Sequence, residues 1–118
     1  MDETSKKTKL VIIGELINAS RKSIRRAIEE VNIEAISEVA RDQAQAGADY
    51  IDVNAGIFTE NEPEYLGWLV KTVQKVTDRP CAIDSPDPLA IDAALSVHQG
   101  IPMLNSISLE KDRYEKIL

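Results

Sequence analysis

Four times along this chain a short apolar run ends on an acid or an amide, and a turn and a helical pattern follow. The runs are Leu10-Val11-Ile12-Ile13, leading through Gly14 to Glu15 and Asn18; Tyr50-Ile51, reaching Asp52, Val53 and Asn54; Cys81-Ala82-Ile83, stopping on Asp84; and Ile101 to Leu104, stopping on Asn105 and Ser106. Continuous apolar runs of this length suit strands buried on both faces of a parallel sheet. Asp and Asn are depleted in strands because their side chains compete for backbone hydrogen bonds, so their recurrence at strand ends calls for a reason.

Between the runs lie helical patterns. Residues 23–30 form a short one. Asn32 caps a second, with Ile33, Ile36, Val39, Ala40 and Ala44 at helical spacing before Gly47 stops it. Pro63 opens a third, with Tyr65, Leu66, Leu69, Val73 and Val76 on one stripe and Trp68 at its margin. Residues 89–98 form a fourth, closed by Gly100, and 109–118 a last one. The order β-α-β-α-β-α-β-α predicts an α/β fold with a parallel sheet and right-handed crossovers. The polar strand ends at 15, 52, 84 and 105 are 37, 32 and 21 residues apart. A (β/α)₈ barrel averages about 31 residues per unit. Four units therefore predict half of a TIM-type barrel over residues 10–118, preceded by a flexible polar tail over 1–9. Its two unpaired sheet edges predict a homo-oligomer or pairing with a second half-barrel.

Composition removes several function classes. A net charge of −6 argues against nucleic-acid or anionic-membrane surfaces, which need a basic face. No apolar run approaches a membrane span, and the polar start lacks the apolar core of a signal peptide. The single cysteine, Cys81, forms no internal disulfide and suits a reducing cytoplasm, where its reading is a packed core thiol.

In a (β/α) barrel the C-terminal strand ends converge on one mouth. Here they bring Glu15, Asn18, Asp52, Asn54, Asp84 and Asn105 together. Without histidines or paired cysteines this set is a poor zinc site. It suits a flat heterocycle rich in N–H donors, such as the pyrimidine edge of a pterin. A carboxylate accepts two parallel N–H bonds there, and an amide both donates and accepts.

Gly14-Glu15-Leu16-Ile17-Asn18, Asp52-Val53-Asn54, Ile83-Asp84-Ser85 and Asn105-Ser106, in this order, resemble the N-terminal half of the pterin-binding, dihydropteroate synthase-like barrel family, and within it the methyltetrahydrofolate:corrinoid methyltransferases. The resemblance implies an enzyme that binds 5-methyltetrahydrofolate and, in the complete barrel, passes its N5 methyl group to the cobalt of a corrinoid (cobalamin) carried by a partner protein. It implies that Asp84 and Asn105 bond the pterin ring. Asp52 and Asn54 hold the ring or orient those neighbours, and Glu15, Asn18 and Ser106 stand at the rim or behind them. The family's second half supplies a further aspartate and an asparagine near N5, so this chain by itself is expected to be incomplete.

The same residues have ordinary uses. Asp52 and Asn54 can form Asx turns, and Asp84 or Asn105 can cap the next helix. Arg21, Lys22, Arg25 and Arg26 can be a solvated face, or can meet a folate tail or an acidic partner. His98 suits a helix C-terminus without any catalytic part. Two other functions fit the pattern. One is dihydropteroate synthesis, whose basic residues would lie in the missing half. The other is a non-catalytic half-barrel assembly subunit.

Overall fold

A computed structural model of the chain describes residues 10–104. The expected tail over 1–9, Asn105, Ser106 and the expected helix over 109–118 lie outside the described residues. Within them the elements are β1 (Ile13–Asn18), α1 (Lys22–Glu29), α2 (Ile33–Gln45), β2 (Tyr50–Asn54), α3 (Glu62–Val76), β3 (Cys81–Ile83), α4 (Pro88–Val97) and β4 (Met103–Leu104). The strands form one parallel sheet in the order β1-β2-β3-β4. Sequential parallel strands with helices between them are the arrangement expected of half a TIM-type barrel.

Strand alternation sorts the side chains. Ile51, Val53 and Ala55, with Cys81 and Ile83, enter the helix-side core beside Ile17. Against them pack Leu66, Leu69, Val70 and Val73 of α3, Ile36 and Ala40 of α2, and Ala90 and Ala94 of α4. Fully burying one such Leu or Ile contributes about 1.5–3 kcal/mol, so this layer dominates the stability. Asp52, Asn54, Ala82 and Asp84 take the opposite face by the two-residue period. Ala82, fully buried yet outside the helix-side core, marks that face, and it pairs with Asp52.

Local signals account for most element ends. Asn32 caps α2 by accepting the Ala35 N–H at 3.1 Å. Gly47 and Gly100 carry φ of 105° and 81°, left-handed values that favour glycine. Pro63 lies in the first turn of α3. Asp87, not Asp84, caps α4, accepting the Leu89 N–H at 3.0 Å.

Two strands differ from expectation. The first, expected over Leu10–Ile13, runs over Ile13–Asn18, straight through Gly14. Leu10, Val11 and Ile12 are exposed, and pairing begins at Ile13 opposite Tyr50, so β2 sets the register rather than the apolar run. The fourth, expected over Ile101–Leu104, begins at Met103 and covers Met103–Leu104 among the described residues, with Ile101 87% exposed.

His98 has a definite structural post. Its Nε2 accepts the Cys81 backbone N–H at 3.1 Å, and its Nδ1 lies 3.2 Å from the Gly100 carbonyl, which assigns the ring proton to Nδ1. Gln74 bonds the Gln99 backbone on both sides and approaches the same ring. The residue ties α3 and α4 to the start of β3, at the end of the sheet away from the polar strand termini.

Helix α1 ends in a Schellman motif. The Val31 N–H donates to the Ile28 carbonyl and the Asn32 N–H to that of Ala27. Val31 occupies the left-handed position, φ 52°, where a β-branched side chain is strained. Val31→Gly is expected to raise unfolding stability by about 0.5–1 kcal/mol, the relief being partly offset by glycine's entropy. Chemical denaturation measures it.

Candidate functional site

The polar strand ends meet on the open face of the sheet. Asn18 pairs with Asn54 across β1 and β2, and Val53 with Ile83 across β2 and β3, so the three termini finish level. The Asp84 N–H continues the ladder by donating to the Val53 carbonyl at 3.0 Å. Its carboxyl group is hydrogen-bonded to the side chains of Asn54 and Asp52. Asp52 is only 3% exposed, whereas Asp84 is half-buried at the opening.

Each amide serves two purposes. Asn54 Oδ1 accepts the Gly56 N–H at 2.8 Å, an Asx turn, which leaves its Nδ2 to donate to Asp84. Asn18 Oδ1 likewise accepts the Ser20 N–H and hydroxyl at 2.9 and 2.8 Å. Turn formation and presentation of an amide at the mouth are thus one structure.

Glu15 reaches this face through a break in pairing. Gly14 is opposite Ile51 and Ile17 opposite Val53, so Glu15 and Leu16 together face Asp52. Such a bulge re-aims side chains and leaves backbone groups unpaired. Two side chains, one from α2 and one just beyond β1, take up those groups. Gln43 Oε1 accepts the Leu16 N–H at 3.0 Å, and the Arg21 guanidinium donates to the Leu16 carbonyl at 2.6 Å. Arg21 is therefore a brace of β1, separate in role from Lys22, Arg25 and Arg26. Gln43 is buried, and its Nε2 is without a hydrogen-bond partner among the described residues.

Electrostatics follow from the crowding of acids. Burial raises the Asp84 pKa above the ordinary carboxylate value and the Glu15 charge adds to the rise, while the Asn54 and Asp52 hydrogen bonds oppose it. Burial, with the Asp52 charge behind it, pushes the Cys81 thiol up to about 12. It stays protonated and unsuited to nucleophilic work.

The structure adds two residues to which the sequence pattern gives no role. Glu62, in the first turn of α3, is 5% exposed and accepts the Ser85 hydroxyl at 2.6 Å. Ser85 follows Asp84 directly and is 1% exposed. A cavity of about 470 Å³ lies elsewhere, on the outer face, lined by Ile28, Val31, Tyr65, Trp68 and Val97 among others. It is mostly apolar and shares none of the strand-end acids. Among the described residues no group of three or more His, Cys, Asp or Glu is arranged to hold a metal ion, and no helix is long and apolar enough to cross a membrane.

The family model for pterin binding enzymes matches residues 14–118, starting at the glycine of the bulge. The chain belongs to the pterin-binding enzyme family. This family has the TIM-barrel architecture that the parallel sheet represents in part. A curated relative from Eubacterium limosum, a methylcorrinoid:tetrahydrofolate methyltransferase, is 38% identical over 109 residues. The match covers 92% of this chain and 40% of that relative's length. The chain is thus a pterin-binding family member similar to a methyltransferase, and it spans less than half of that relative.

Proposed function

We propose that this chain forms the pterin-holding part of a methyltransferase acting between N5 of tetrahydrofolate and the cobalt of a corrinoid protein. The observation that carries the reading is the cluster at Asp84. A half-buried carboxylate, oriented by Asn54 and Asp52, stands at the open ends of parallel strands in a chain of the pterin-binding family. Asp84 accepts the ring N–H and exocyclic amine of the pyrimidine edge as a bidentate pair. Asn54 and Asp52 hold that carboxylate in place. Glu15 and Asn18 form the β1 side of the opening, and Asn105 and Ser106 are assigned to the pterin ring and the rim by their place in the motif.

The relative's name puts the methyl group on the corrinoid and makes tetrahydrofolate the acceptor, opposite to the direction implied by the methyltetrahydrofolate:corrinoid enzymes. We adopt the relative's direction. The same contacts serve both, because they stabilise one transition state. N5–H becomes N5–CH₃ with loss of a proton, and positive charge develops at N5 on the way. The acids at the mouth favour that charge from fixed positions. The corrinoid supplies a cobalt–carbon bond that breaks to leave its electron pair on the metal.

The test uses the full-length protein. Calorimetry is expected to show binding of tetrahydrofolate. With a methylated corrinoid protein present, the cobalt absorbance is expected to change to that of the demethylated, reduced state as 5-methyltetrahydrofolate forms. Absence of binding overturns the pterin site, and binding without any cobalt change overturns the transfer.

A further inference from the structure

We infer that Glu62 is a positioning residue for Asp84, acting through Ser85 to fix the turn between β3 and α4. The inference rests on the pterin reading above and adds a residue to it. Asp84 and Ser85 are consecutive, yet their side chains go to opposite sides. Asp84 joins Asp52 and Asn54 on the open face, whereas Ser85 turns back into the helix layer, 1% exposed. Whatever holds Ser85 therefore restricts the backbone from which the Asp84 carboxylate projects.

Ser85 is held from two directions. Its hydroxyl donates to Glu62 Oε2 at 2.6 Å and accepts the Asp87 N–H at 3.0 Å. Asp87 in turn caps α4. The start of α3, the turn after β3 and the start of α4 are thereby joined in one chain of bonds. The 2.6 Å distance belongs to the short, charge-assisted class. A carboxylate is tolerated there because the N-terminal turn of α3 favours negative charge. Glu62 also flanks the β2–α3 turn. A Cβ placed at Gly56 would stand 3.9 Å from Glu62 Oε2 and 3.2 Å from Asn54 Oδ1. The residue is thus adjacent to both turns that orient the pterin carboxylate, without reaching the open face itself.

Titration of the full-length protein with tetrahydrofolate across acidic to neutral pH tests this with four variants. Glu62→Ala and Ser85→Ala are each expected to weaken binding about ten-fold, the scale of a small misplacement of a binding group. Each is also expected to move the pH midpoint of binding toward the ordinary carboxylate range, because Asp84 leaves its crowded position. Glu62→Gln keeps an acceptor for the Ser85 hydroxyl and is expected to bind within about two-fold of the parent. His98→Leu, at the far end of the sheet, is expected to lower the melting temperature while leaving the pH midpoint unchanged. If Glu62→Ala does not fold, Ser85→Ala reads the same contact from its other end. Alanine variants with unaltered affinity and midpoint overturn the inference alone, as does a midpoint shift of equal size in His98→Leu. Failure of the parent protein to bind tetrahydrofolate overturns the inference together with the functional reading.

Discussion

Asp84→Asn is expected to weaken tetrahydrofolate binding by about 10–100-fold in the full-length protein without lowering its melting temperature. The loss follows from replacing a charged, bidentate acceptor by an amide that offers one acceptor and one donor. Hydrogen bonds to charged groups contribute about 1.5–3 kcal/mol, and 1.4 kcal/mol is ten-fold in affinity. The stability half of the expectation has the opposite sign from most site substitutions. The Asp84 pKa is raised in the fold, first by burial and further by Glu15. Its contribution to stability is therefore complete below the unfolded-state value of 3.8 and is lost as pH rises through the folded value. At neutral pH the ionised group opposes folding, and asparagine, neutral throughout, removes that cost. The variant should melt at or above the parent's temperature at pH 7, with the difference closing in acid. Binding carries its own pH signature. Affinity in the parent should fall on acidification through the raised Asp84 value, since a protonated carboxyl loses an acceptor, whereas the variant should be flat there. Parallel melting and calorimetric series check both signs.

Gly14→Ala is expected to destabilise the protein by about 1–3 kcal/mol through lack of space rather than through backbone conformation. A Cβ at Gly14 would lie 2.5 Å from Gln43 Oε1, 2.7 Å from its Cδ and 3.0 Å from its Cβ. The amide end of Gln43 can swing away, but only by releasing the Leu16 N–H that it satisfies at 3.0 Å. The unpaired backbone donor then adds its own penalty. Because the bulge turns Glu15 toward the mouth, this variant should also weaken tetrahydrofolate binding modestly. Gln43→Ala, which makes room but leaves the same N–H unpaired, should lose stability without any clash. Denaturant unfolding of both variants separates crowding from the lost hydrogen bond.

The parts of this fold legible in the sequence are those whose causes are local. Gly47 and Gly100 stop elements because their backbones need positive φ, and Asn32 caps α2 with an atom of its own side chain. β3 needs only Cys81-Ala82-Ile83, an unbroken apolar triplet between Pro80 and Asp84. The recurrence of acids and amides after such runs was enough to gather Asp52, Asn54 and Asp84 onto one face, since strand alternation and parallel order are geometric rules.

What escaped the sequence depends on residues far apart in the chain. The Leu10–Ile13 run reads as a buried strand, but register with Tyr50 moves the strand onward through Gly14. The bulge at Glu15 depends on Gln43, 27 residues after Leu16, which accepts the Leu16 N–H, while Arg21 nearby takes the carbonyl. In the sequence Arg21 is one of four similar cations. Glu62 reads as an ordinary acid of a helix first turn, and the hydroxyl it accepts belongs to Ser85, 23 residues later. His98 carries no sign in its neighbourhood that its Nε2 meets the backbone of Cys81.

The central claim is that the pyrimidine edge of a pterin is read by Asp84 at the strand ends. A crystal structure of the full-length protein with tetrahydrofolate tests it most directly. The account requires the ring N–H and exocyclic amine within hydrogen-bond distance of the Asp84 carboxylate, with Asn54 still donating to it. A pterin seated against Trp68 on the outer face, or held at the mouth with its pyrimidine edge turned away from Asp84, would contradict the account.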